Sequence, residues 1–182
     1  MKKFLIENYR WTNNGYEPEA WGELKLTSDA LKVKLTCIEK EPLARHNYGP
    51  DAPVHCDSCL EFFFSLDGGK HYVNIEMNAG GGYLCAFRTS RYDKAYIDLL
   101  AENGTPKATL LEDRWYAEAA FDTSKLKKAF NIDEVTELKG NFYKCGDETK
   151  FPHFGMWNTV LTEKPDFHRP EYFADIPLGD IT

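Results

Sequence analysis

The stretch SCLEFFFSLDGGKHYVNIEMN, residues 58–78, constrains this chain more than any other. Two alternating runs flank Gly68-Gly69. Glycine tolerates positive φ, so a Gly-Gly pair between such runs predicts a β-hairpin with a two-residue turn. Pairing outward sets Asp67 against Lys70, Leu66 against His71, Phe64 against Val73, Phe62 against Ile75 and Leu60 against Met77. That face is almost wholly apolar, and a slip of one residue would turn it outward. The other face follows without further choice. Phe63 meets Asn74, Glu61 meets Glu76, and Asn78 lies one step beyond. Like charges directly opposed across a ladder destabilise it. Glu61 and Glu76 therefore need a partner: a cation, an arginine or lysine from a third strand, or the hydroxyls of a ligand.

The same alternation predicts strands over residues 30–39, 114–122, 137–145 and 171–178, and over 83–88 after the turn Gly80-Gly81-Gly82. Helices are expected over DTSKLKKAF, behind an Asp122/Thr123 cap, and over RYDKAYIDLL, residues 91–100, whose apolar residues recur at helical spacing. Many short strands broken by Gly, Pro and Asn give the fold class: all-β, a β-sandwich of antiparallel sheets with one or two short helices. A chain of 182 residues fits one domain, 1–182, large enough to bury a core without cross-links.

Charge narrows the partners. The formal net charge is −7 and no basic stripe is present, which argues against nucleic acid and anionic membranes. No apolar run approaches the roughly 18 residues of a membrane span. The apolar part of MKKFLIENYRW is too short for a signal sequence, and five cysteines make an odd number. A cytoplasmic protein with five free thiols is expected. Cys56 and Cys59, in HCDSC, stand three apart at a strand start and point to opposite faces. They lack the second pair of a structural zinc site, so no joint metal site is expected of them.

The C-terminal third, NFYKCGDETKFPHFGMWNTVLTEKPDFHRPEYFADIPL, crowds rings, histidines and prolines into a stretch with little alternation. Rings beside carboxylates and amides suit a sugar, whose C–H faces stack while its hydroxyls take hydrogen bonds. The segments DSCLEFFFS, YVNIEMNAGGGYLCAF, RWYAEAAF, GNFYKCGDE, PHFGMW and PDFHRPEYFADIPL come in an order that resembles carbohydrate-binding module family 9-like domains, from about Trp21 to Leu178. The resemblance implies a β-sandwich which, in xylanase-attached members, holds sugar chain ends between two tryptophans and carries structural calcium. It places the sugar-contacting strand glutamate at Glu61 and the second tryptophan at Trp157. The first tryptophan's position is taken by His55, a departure that puts the two-ring clamp in question. Arg88 and Asn141 stand where an arginine and an amide contact are implied. No calcium ligand maps onto a numbered residue.

The expectation is a stand-alone domain binding a mono- or oligosaccharide on a polar sheet face ringed by aromatic loops. Glu61, Asn74, Glu76 and Asn78 supply hydrogen bonds, Arg88 neutralises a carboxylate, and Trp157 stacks. Three rivals stand beside it. The first is a glycoside-processing enzyme using Glu61 and Glu76, since opposed strand neighbours have Cβ atoms about 4.5–5.5 Å apart and retaining glycosidases hold their carboxyls about 5–5.5 Å apart. The second is a haem-binding sandwich using Met77 or Met156 with a histidine. The third is a protein-interaction domain.

Overall fold

The computed structural model describes residues 2–182. In chain order its strands are β1 (Lys3–Ile6), β2 (Ala20–Leu26), β3 (Ala30–Cys37), β4 (Cys59–Ser65), β5 (Tyr72–Asn78) and β6 (Tyr83–Arg88). After them come β7 (Lys94–Ala95), β8 (Lys107–Leu110), β9 (Trp115–Asp122), the helix α1 (Thr123–Phe130), β10 (Lys139–Cys145), β11 (Phe154–Met156) and β12 (Ala174–Asp175). One sheet runs β1-β2-β3-β9-β8; the other runs β11-β10-β4-β5-β6-β7, with β12 on the end of β10. Every pairing is antiparallel, and the two sheets form the expected sandwich. No helix among the described residues is long and apolar enough to cross a membrane.

The central hairpin has the predicted register. Leu60 pairs with Met77, Phe62 with Ile75, Phe64 with Val73, and Glu61 with Glu76. The tip is looser than a two-residue turn. Gly68 and Gly69 take positive φ of 72° and 91°, but side chains close the loop. Ser65 Oγ accepts the Gly69 amide at 2.9 Å, and the Asp67 carboxylate accepts the His71 amide at 3.0 Å.

The sandwich core is built on stacked phenylalanines. Phe62 lies 4.6 Å from Phe142 and 5.0 Å from Phe64, centroid to centroid, and Phe4 closes over Phe142 from the first sheet at 5.0 Å. Gly22 of β2 makes room, because a Cβ there would stand 2.2 Å from the Phe142 ring. Burying each such ring stabilises by about 1.5–3 kcal/mol. Asp122 caps α1, its Oδ1 accepting the amides of Ser124 at 2.8 Å and Lys125 at 3.1 Å. The helix turns Leu126 and Phe130 inward.

Two expected elements differ. Residues 91–100 form no helix: Lys94 and Ala95 add an edge strand to β6, and the Leu99 carbonyl takes the Asp122 amide at 2.9 Å. Edge pairing and one buried side chain, Leu99, outweigh the helical spacing of Tyr92 and Tyr96, which stay exposed. In 171–178 the strand shrinks to Ala174–Asp175, between Pro170, which opens a single 3₁₀ turn, and Pro177. Proline has no N–H to give a ladder.

A third layer covers the second sheet. The outer face of the second sheet is not open to solvent. Residues 51–58 and 158–173 lie over it, so β4 and β5 are buried along their whole length on both faces. Phe63, Tyr72, Tyr143, Met156, Val160 and Phe173 form a second apolar cluster beneath this cover.

Candidate functional site

Where the covering loops part, a cavity of about 150 Å³ opens over β4 and β5. Its floor is Glu61, Glu76 and Phe63, with Cys145 at one edge. His55 and Asp147 form one wall, Phe154 and the run Pro165–His168 the other, and Arg91 the rim. The walls are fixed by ordinary folding chemistry. Asp57, buried, gathers loop 42–58: its oxygens accept the amides of Arg45 and His46, each at 2.8 Å, the Arg45 Nε at 3.1 Å and the Asn78 amide group at 2.9 Å. That knot sets the short 3₁₀ turn Val54–Cys56 carrying His55. On the other side Phe167 stacks on Tyr143 at 4.1 Å, and the Tyr72 hydroxyl meets His168 Nδ1 at 3.0 Å.

The two glutamates are 2% and 5% exposed, and their surroundings do not match their charges. Glu61 accepts from the Cys145 thiol at 2.9 Å. Burial and then the Glu76 charge push its carboxyl well above the ordinary range. Glu76 is also pushed up by burial, with His55 and Arg88 offsetting part of it. Arg88 does not touch a glutamate directly. Its Nε donates to Asn74 Oδ1 at 2.6 Å, and Asn74 Nδ2 donates to Glu76 Oε1 at 2.7 Å, so the arginine acts through a polarised amide. His55 Nδ1 is 4.0 Å from Glu76. Asp147 is raised by burial, whereas His168 is driven down to about 3 by burial and by the charges of Arg88 and Arg91.

Of the eight residues expected at the site, Glu61, Glu76 and His55 line the cavity, and Asn74 and Arg88 stand behind Glu76. Asn78 does not line it. Its amide group donates to the His46 carbonyl and to Asp57, and its oxygen accepts from Gly80 and Gly82, so it shapes the β5–β6 turn. Asn141 clamps the chain at Asn158 in both directions, at 2.8 Å each. Trp157 is on the far side of the sheet, edge-on to Phe4 at 4.9 Å and Phe142 at 5.8 Å. It follows β11, where Met156 takes the outer face beside Tyr143, so the next side chain turns to the core. Met77 faces that same core, and Met156 Sδ accepts the Val160 amide at 3.1 Å, which leaves neither thioether turned to the cavity for a haem.

Sequence reasoning missed Arg91, Cys145, Asp147, Phe154, Asp166 and Phe167. The ring-rich C-terminal stretch was the signal for Phe154 and Phe167, but nothing local shows which rings face outward. Calcium takes about six to eight oxygen ligands. Among the described residues, the group of three or more His, Cys, Asp or Glu side chains close enough to share an ion is Cys59, Glu61 and Cys145. Two of its three donors are sulfur, and the oxygens of nearby Asp57 are already taken, so this corner of the molecule does not fit calcium.

The sequence matches the profile of carbohydrate-binding family 9 over residues 1–178. Among solved structures, a Bacteroides uniformis protein to which carbohydrate binding is ascribed superposes with a TM-score of 0.78 at 24% identity, over 96% of this chain and 85% of that one. A family 9 module from Caldicellulosiruptor kristjanssonii in complex with cellotriose gives 0.64 at 13% identity, over 96% and 80%. A family 9 module from the same organism with glucose gives 0.62 at 14%, over 93% and 80%. No curated protein matches the chain.

Proposed function

The chain belongs to carbohydrate-binding family 9, and we propose that its ligand, a sugar or the end of a glycan, sits in the cavity over Glu61 and Glu76. One observation carries the placement: two buried carboxylates, directly opposed across the ladder, form the floor of a cavity walled by Phe154, Phe167 and His168. Its volume of about 150 Å³ is below the roughly 300–1,000 Å³ of drug-sized pockets. A single ring fits there, and the rest of a chain would leave over the rim. The glutamates take the sugar hydroxyls as donors, and Phe167, with its neighbour Phe154, offers the apolar surface expected of Trp157. Such a ligand matches the glucose and cellotriose held by the family 9 modules of similar fold.

Calorimetric titration with glucose and with cellotriose tests this. Both should bind with similar affinity, since the cavity holds one unit. Glu76→Gln and Phe167→Ala should each weaken binding at least about tenfold, as expected for losing one charge-assisted hydrogen bond or one stacking surface. Unchanged affinity in both variants would refute the placement. The same incubation, assayed for newly released reducing ends, separates a binder from a glycoside-processing enzyme, and no release is expected.

A further inference from the structure

Cys59 and Cys145 are register partners on β4 and β10, and Glu61 lies two residues past Cys59 on the same face. Both sulfurs and a Glu61 carboxylate oxygen fall within 4.8 Å of one another, and Cys145 Sγ is 2.9 Å from Glu61 Oε1. The three residues are 0%, 1% and 2% exposed. Three donors therefore converge from two adjacent, hydrogen-bonded strands.

The surroundings supply mainly anions, and the exposed Lys94 acts on Glu76 only from a distance. Glu76 and Asp147 share the cavity. Arg91 is paired with Asp166. Arg88 gives its donors to Asn74 and to the Arg91 carbonyl. Lys144, next in the chain, points to the other side of β10, where it holds Glu39 at 3.3 Å. His55 stands by Glu76.

We propose that Cys59, Cys145 and Glu61 bind a thiophilic divalent cation of the zinc class, with its fourth position open to the cavity. Bonds of about 2.3 Å to sulfur and about 2.1 Å to oxygen put tetrahedral donors about 3.6–3.8 Å apart. The spread here, from 2.9 Å to at most 4.8 Å, brackets that spacing. Two sulfur donors select against calcium and magnesium, which prefer oxygen. On binding, both thiol protons and any proton on Glu61 pass to solvent, and no electrons move. A dication with two thiolates and one carboxylate leaves a single negative charge where a bare set of ligand anions would hold three. Cys56, from which no joint site with Cys59 is expected, takes no part; the partner of Cys59 comes from across the sheet. This site shares Glu61 with the sugar reading but rests on Cys59 and Cys145, which that reading does not use.

The test strips the full-length protein with a chelator and titrates it with Co²⁺ as a spectroscopic probe. A sulfur-to-cobalt charge-transfer band should grow, saturate at about one ion per chain, disappear on adding Zn²⁺, and accompany release of at least about two protons per ion in weak buffer. Cys59→Ser and Cys145→Ser should each lose the band, and Cys85→Ser, a buried thiol of the sandwich core, should keep it. Where a serine variant does not fold, Glu61→Gln, of nearly equal size, should weaken cobalt binding at least tenfold. No band at saturating cobalt, a band that survives Cys145→Ser, or a Cys59–Cys145 disulfide in the purified protein overturns the proposal. Glucose titration of the chelator-treated protein keeps the two readings apart: sugar binding without the band removes this inference alone, and the band without sugar binding removes the other alone.

Discussion

Lys144 and Cys145 are neighbours on β10 and look out on opposite sides of one sheet, onto two buried polar clusters of different kinds. On the Lys144 side every charge is met. Lys144 Nζ donates to Glu39, to the Cys145 carbonyl at 3.0 Å and to His153 Nε2 at 2.7 Å. Glu39 also accepts from Trp115 at 3.0 Å and Ser58 at 2.9 Å, and His153 Nδ1 donates to the Phe151 carbonyl at 2.7 Å. On the Cys145 side two glutamates face one another with one thiol, one amide and a distant histidine between them. Buried charge is tolerated when it is paired and hydrogen-bonded. The first cluster meets that rule alone and is structural. The second does not: among the described residues no lysine or arginine is bonded to Glu61 or Glu76, which lie opposite one another across the ladder.

The largest expected effect breaks the balanced cluster. Lys144→Met leaves Glu39 buried without its cation, and removing one partner of a buried pair costs about 3–5 kcal/mol. A domain of this size loses about 2–4 °C per kcal/mol, so the melting temperature should fall by on the order of 10 °C. In chelator, Glu61→Gln should leave the melting temperature unchanged or raise it, because it removes a repelling charge. Equal losses in the two variants would show that Glu61 is as structural as Lys144, and the contrast between the clusters would be lost.

Acid sharpens the comparison, because the two clusters respond with opposite sign. Burial raises the Glu39 pKa, but Lys144 and the bonds from Trp115 and Ser58 outweigh it and hold the group below its usual 4.5. Its stability is present above about pH 4.5 and is lost as pH falls through the folded value. Burial and the Lys144 charge press His153 from 6.5 down to about 4, so the unfolded chain protonates first and stability drops between those values. His168, on the cavity wall and held to about 3, adds a loss in the same direction, against the trend of the two glutamates beside it. Glu61 and Glu76 are raised above 4.5, so they protonate first in the folded state, and acidification towards 4.5 relieves them. Each proton of difference is worth about 1.4 kcal/mol per pH unit. Any stability gained by Glu61→Gln at pH 7 should therefore shrink as pH approaches 4.5. Urea denaturation of both proteins over that range checks it, and a gain that grows on acidification would contradict it.

The floor of the cavity was legible in the sequence because a hairpin is local. Gly68-Gly69 and one alternation placed Glu61 against Glu76 and Phe63 against Asn74. The family resemblance added Glu61 as a sugar contact. What the sequence hid depends on long-range pairing. That Cys145 meets Cys59 follows from β4 beside β10, which no spacing reveals. That Asn78 and Asn141 hold loops follows from backbone groups of residues 46 and 158. The buried outer face was hidden for the same reason: alternation marks two faces but cannot show that irregular chain covers the second.

The smallest expected effect concerns Trp157, where the resemblance and the packing disagree. The resemblance makes it a stacking ring. Its indole packs edge-on against Phe4 and Phe142, on the core side, with the whole sheet between it and Glu61. A residue so placed touches no ligand in the cavity, and phenylalanine can replace much of its packing. Trp157→Phe should cost about 1–2 kcal/mol, the range of a volume change in a core that stays apolar. Glucose affinity should stay within about twofold of the parent, because the cavity walls are held by Asp57, Asn141 and Tyr143. A tenfold loss of affinity in the calorimeter without loss of melting temperature would return Trp157 to the ligand and move the site to the other face of the sheet. With affinity kept and Phe167→Ala impaired, the aromatic contact of this chain belongs to the C-terminal loop, on the side where the charges are unmet.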